Sequence, residues 1–97
     1  MKYEDIVKRL FDKEAKLRGG DREGFPNEHQ AVKALKCFYE SLEIAMEPED
    51  IMKDVDEGYL YLEDDWDVYS YGYSKGQDNI YWDIELNELD TFVYGPF

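Results

Sequence analysis

Cysteine, histidine and basic residues are scarce in this chain. Cys37 is the one cysteine and His29 the one histidine, so neither an internal disulfide nor a cysteine-based zinc site can form. Cys37 is expected to be a reduced thiol in the core. His29 precedes it by two helical turns, too far along the axis for a Cys-His nucleophile pair. Lys and Arg number 11 against 24 Asp and Glu, a formal net charge of −13, which opposes binding to phosphate backbones. A basic nucleic-acid binder is therefore excluded as the default reading. Long apolar runs are also missing. The segment Met-Lys-Tyr-Glu-Asp-Ile-Val-Lys-Arg-Leu carries charges every few residues, so neither a signal peptide nor a membrane span is expected, and the predicted location is cytoplasmic.

Aromatic and apolar residues are plentiful. Hydrophobic residues make up 43% and aromatics 16% of 97 residues, enough to predict a folded, acidic domain spanning 1–97 instead of a disordered chain. The charge is unevenly spread. Up to Glu47 there are nine bases and ten acids; the remaining residues hold Lys53 and Lys75 against 14 acids, a net −12, together with 11 of the 16 aromatics.

Residues 1–57 read as helical. Tyr3, Ile6, Val7, Leu10, Phe11 and Leu17 recur at helical spacing and Gly19-Gly20 supplies a stop, which predicts a helix over about 3–18. Asn27 and Gln30 have the spacing of a capping box, opening a second helix with Ala31, Leu35, Phe38, Leu42 and Ala45 on its buried stripe. Pro48 suits the first turn of a short third helix, with Glu47, Glu49 and Asp50 at the positive end of its dipole. Ile51, Met52 and Val55 form its apolar face, and Gly58 ends it.

Residues 58–97 change to a period of two, the signature of strands. Leu60 and Leu62, then Val68, Ser70 and Gly72, then Ile80, Trp82, Ile84 and Leu86 are expected to face the helices. A last strand is expected through Thr91–Tyr94. Three-residue loops at Glu63-Asp64-Asp65 and Lys75-Gly76-Gln77 pair Leu60 with Val68 and Gly72 with Ile80. The predicted fold is α+β: two helices and a short third packed on one face of a three- or four-stranded antiparallel β-meander.

That register predicts an outer face of Tyr59, Tyr61, Asp67, Tyr69, Tyr71, Tyr81, Asp83 and Glu85. It sets Asp67 across from Glu85, and like charges opposed on a sheet destabilise by up to about 1 kcal/mol. Tyrosine offers wide contact area with few rotatable bonds. The face is expected to bind a basic protein, either a nucleic-acid-binding protein or a nuclease, so the chain reads as an inhibitor of nucleic-acid-mimic, immunity or antitoxin type. The alternative is an adaptor or structural subunit that uses the same tyrosines to join an assembly or a homodimer. The plainer reading is that tyrosine forms strands well and acids keep sheet edges soluble.

Catalytic and metal sites are not expected. Asp54-Val-Asp-Glu-Gly58 resembles the opening of a calcium loop, but glycine falls at the fifth position instead of the sixth, and Asp65 holds the twelfth in place of Glu. Gly19-Gly20 follows a helix, whereas phosphate cradles follow a strand. No cofactor is implied.

Overall fold

The computed structural model describes residues 1–44, 47–65, 68–76 and 79–89. Three helices, α1 (Tyr3–Leu17), α2 (Glu28–Ser41) and α3 (Pro48–Asp56), precede strands β1 (Leu60–Asp65), β2 (Val68–Tyr73), β3 (Ile80–Asp83) and the two-residue β4 (Glu88–Leu89). The strands form one antiparallel sheet in the order β1-β2-β3-β4, with the helices packed on it as the α+β reading expects.

The helices begin where their capping residues predict. The Asn27 carboxamide oxygen accepts from the N–H groups of His29 and Gln30 at 2.8 and 3.2 Å, satisfying two donors that the first turn leaves open. Pro48 occupies the first turn of α3, with Glu49 and Asp50 beside it. Ile6, Val7, Leu10 and Phe11 of α1 join Ala31, Leu35 and Phe38 of α2 and Ile51 and Val55 of α3 in the core. Leu17 departs from its expected stripe and is 84% exposed, leaving Ala15 as the buried residue of that last turn. Cys37 is half-buried at the core margin, where the Asn87 side-chain N–H approaches its sulfur at 3.3 Å. The expected burial of Ala45 lies outside the described residues, as does the strand expected through Thr91–Tyr94.

The sheet register differs from the expected one. Leu60 pairs with Tyr73, Leu62 with Tyr71 and Asp65 with Val68. Glu63, Asp64 and Asp65 are thus part of β1 and not a loop. Tyr71 pairs with Trp82 and Tyr73 with Ile80, a one-residue slip from the expected Gly72–Ile80 pairing, and such a slip exchanges the faces of a strand. Tyr69, Tyr71 and Tyr73 therefore face the helices with Leu60, Leu62, Trp82 and Ile84, while Val68, Ser70 and Gly72 take the other face.

The slip is stabilised by what the tyrosines meet. Tyr71 is 0% exposed, its hydroxyl donates to the Ala31 carbonyl at 2.6 Å, and its ring stacks parallel to Phe38. The Arg18 guanidinium hydrogen-bonds the Tyr69 hydroxyl and lies over both the Phe25 and Tyr69 rings. Tyr73 meets Phe38 and Tyr39 edge-on. A buried tyrosine contributes large apolar area provided that its hydroxyl finds a partner. Serine and glycine in those inward positions would leave the space beneath α2 unfilled.

Candidate functional site

The structure divides the eight residues expected on the outer sheet face. Tyr61, Tyr81 and Asp83 do share that face, because their strands keep the expected parity. Tyr69 and Tyr71 are corrected: they belong to the core, for the register reason given above. Tyr59 precedes β1 at 36% exposure, with the Lys75 ammonium 5.7 Å from its ring centre. Glu85 is exposed in the turn after β3, and its carbonyl accepts from the Gln30 side chain at 3.3 Å. Asp67 lies outside the described residues, so the expected Asp67–Glu85 opposition is not placed.

The residues that remain on the outer face are occupied internally. Tyr61 lies across Gly72, and its hydroxyl is 3.0 Å from that of Tyr81, with the two rings nearly perpendicular. Asp83 is buried and one carboxylate oxygen accepts the Leu86 N–H at 3.0 Å, closing the turn that leads to β4. Asn87 in that turn adopts a left-handed φ of 55° and accepts the Trp82 indole N–H at 2.8 Å. Asp83 thus acts as a turn anchor.

A second polar cluster, which patterning did not single out as a unit, surrounds Asp54. This carboxylate is 2% exposed. One oxygen accepts from the Tyr39 hydroxyl and the other from the Lys75 ammonium, both at 3.3 Å. Burial, reinforced by the Asp54 charge, holds the Tyr39 hydroxyl well above the ordinary tyrosine range. Burial and the same carboxylate raise Tyr73, and the hydrogen bond to Asp54 raises Lys75. Asp54 therefore ties α2 and α3 to the end of β2. Its neighbour Asp56 turns the other way and pairs with Arg9 at 2.9 Å. The carboxylates of the calcium-like segment diverge, and among the described residues no group of three or more His, Cys, Asp and Glu side chains is arranged to hold a metal ion. His29 is exposed, while Cys37 faces Asn87.

Five other exposed carboxylates are close in sequence at the junction of α2 and α3. Glu40, Glu43, Glu47, Glu49 and Asp50 are all exposed there, together with Ile44 at 39%. Glu49 pairs with the terminal ammonium of Met1 at 3.7 Å; the other four make no ion pair among the described residues. The dipole of α3 accounts for Glu47, Glu49 and Asp50, because acids stabilise the amino-terminal end of a helix. It does not account for Glu40 and Glu43. Glu40 sits in the last turn of α2, which holds no base, and Glu43 follows with a left-handed φ of 57°. Acids at a helix carboxyl end oppose the dipole.

Among the described residues no helix is long and apolar enough to cross a membrane. Compared with protein-family models, curated proteins and solved structures, the chain gives no match.

Proposed function

We propose that the protein is a small, non-enzymatic acidic inhibitor that occupies a basic surface of a target protein, either a nucleic-acid-binding protein or a nuclease, in the manner of a nucleic-acid mimic or an immunity or antitoxin-type protein. The α2–α3 junction replaces the outer sheet face as its docking surface. The observation that carries the reading is the pair Glu40 and Glu43, exposed at the end of α2 where the local helix field disfavours them. A cationic partner relieves that repulsion, steers association, and leaves Ile44 to supply apolar contact. The adaptor alternative is less well supported, because it relied on five tyrosines of which Tyr69, Tyr71 and Tyr81 are buried.

The test separates stability from binding. The Glu40→Lys, Glu43→Lys variant should be more stable than the parent by about 0.3–1 kcal/mol per site, because each change suits the helix end. The same variant should lose a basic protein captured from native lysate by the parent, and should no longer block that protein's nucleic-acid binding or cleavage. Retained inhibition with the same salt dependence would remove the junction as the docking surface. A captured partner whose nucleic-acid binding and cleavage the parent leaves intact would remove the inhibitor reading itself.

A further inference from the structure

At the opposite end of the helical layer the sign of the charge reverses. A cleft of about 830 Å3 lies beside the carboxyl-terminal half of α1, lined by Arg9, Lys13, Lys16 and Arg22 with Asp12 and Asp56, and floored by Gly19-Gly20. Four of the chain's 11 bases thus meet in one concavity of a protein carrying −13. Arg9, Lys13 and Lys16 share one face of α1 at spacings of four and three residues, where like charges repel one another and destabilise the helix.

Three of these cations are held in place by the protein. Arg9 donates to Asp56 at 2.9 Å, Arg22 to Asp12 at 2.6 Å, and the Lys13 ammonium to the Val55 carbonyl at 2.6 Å. Each keeps further N–H donors after making one bond. Lys16 makes no ion pair among the described residues and is exposed. The carbonyls of Glu14, Ala15 and Lys16 in the last turn of α1 accept the backbone N–H groups of Arg18, Gly19 and Gly20.

We propose that this cleft binds a compact oligophosphate anion, recognised through its phosphates alone. Four cations against two carboxylates leave an excess that favours a multiply charged ligand over a singly charged one. The volume falls in the range of about 300–1,000 Å3 common for small-ligand sites. Among the described residues the lining contains no aromatic side chain and, apart from Ala15, no apolar one, so these offer a nucleobase no surface to stack on. This inference is independent of the acidic junction and requires no protein partner.

Calorimetric titration at constant ionic strength, with amide shifts followed by NMR, tests it using orthophosphate, pyrophosphate and tripolyphosphate as probes. Affinity should rise with the number of phosphates, with shifts centred on Lys13, Lys16, Gly19, Gly20 and Arg22. ATP should bind no more tightly than tripolyphosphate. Lys16→Glu should weaken tripolyphosphate by about tenfold or more, with a small fall in thermal stability because its acid opposes the helix dipole, and Lys16→Gln should weaken it by less in the same direction with thermal unfolding nearly unchanged. Lys33→Glu, an equal charge change on α2 outside the cleft, should weaken it by less than about threefold. No binding of tripolyphosphate at about 1 mM, equal losses in the Lys33 and Lys16 variants, or ATP binding about tenfold tighter than tripolyphosphate would each overturn the proposal.

Discussion

Strands β2 and β3 lie side by side and carry the same alternating signature, yet they turn opposite parities toward the helices. In β3 the even positions face the helices: Ile80 packs against the core and Trp82 lies within it, as does Ile84 just past the strand. In β2 it is the odd positions, Tyr69, Tyr71 and Tyr73. The difference lies in what each pattern decides. Ile and Trp against Tyr and Asp is a clear contrast in β3. In β2 the choice is between three tyrosines and a Val-Ser-Gly set, and hydropathy alone does not rank them. Volume and hydroxyl partners settle it. The tyrosines fill the space beneath α2, and two of their hydroxyls reach the Ala31 carbonyl and the Arg18 guanidinium.

The largest test of this comparison truncates one residue from each set within β2. Truncating a fully buried aromatic costs about 3–5 kcal/mol, so Tyr71→Ala should approach the lower end of a small domain's stability. Val68→Ala, at a half-buried position on the other face, should cost about 1 kcal/mol or less. Urea denaturation of both variants reads the order directly. The reverse order would restore the register in which Val68 faces the helices and Tyr71 the outside.

The same contrast shows which parts of the molecule patterning could reach. Helix starts and stops are local: Asn27 caps its own first turn, and Pro48 fits the first turn of α3. The partners that fix β2 are remote, at Ala31 and Arg18, and only the folded chain brings them close. The candidate site was hidden for a related reason. Dividing the chain at Glu47 averages the stretch up to Lys36, nine bases against seven acids, with an acidic end of α2. No base lies between Lys36 and Lys53, while Glu40, Glu43, Glu47, Glu49 and Asp50 all do, so the acidic junction is legible once the division is moved. The cleft is only partly so. Arg9, Lys13 and Lys16 have helical spacing, but Arg22 and Asp56 join them through tertiary structure.

A smaller effect is expected on the outer face, where glycine in β2 makes room for a ring. A Cβ built on Gly72 falls 2.4 Å from the Tyr61 ring, so Gly72→Ala must push that ring off the strand and disturb its contact with Tyr81. Overpacking of this kind costs about 1–3 kcal/mol. In a Tyr61→Ala background the same change should be nearly neutral, and the difference between the two is the coupling read by a double-mutant cycle. Equal costs in both backgrounds would show that the Gly72 position is not set by Tyr61.

The smallest effect distinguishes the buried tyrosines by pH. Tyr71 is raised well above its ordinary range by burial, Tyr39 by burial and Asp54, and Tyr73 by burial and Asp54. Unfolded tyrosine releases its proton near pH 10, whereas these groups keep theirs while folded. Above that pH the unfolded chain binds fewer protons than the native one, so stability falls as pH rises. Lys75 acts in the same direction: its raised folded value gives stability that is complete below the unfolded lysine range and is lost as pH rises through the folded one. Unfolding measured from pH 8 to 11 should therefore show a steepening loss near pH 10. Tyr71→Phe leaves the Ala31 carbonyl without its donor and lowers stability at pH 8 by about 1 kcal/mol, but it should make the alkaline loss shallower by removing one ionisation. Lys75→Met should flatten it at the upper end of the range. An unchanged slope in Tyr71→Phe would mean that the Tyr71 hydroxyl ionises as easily folded as unfolded, which its place beneath α2 does not allow.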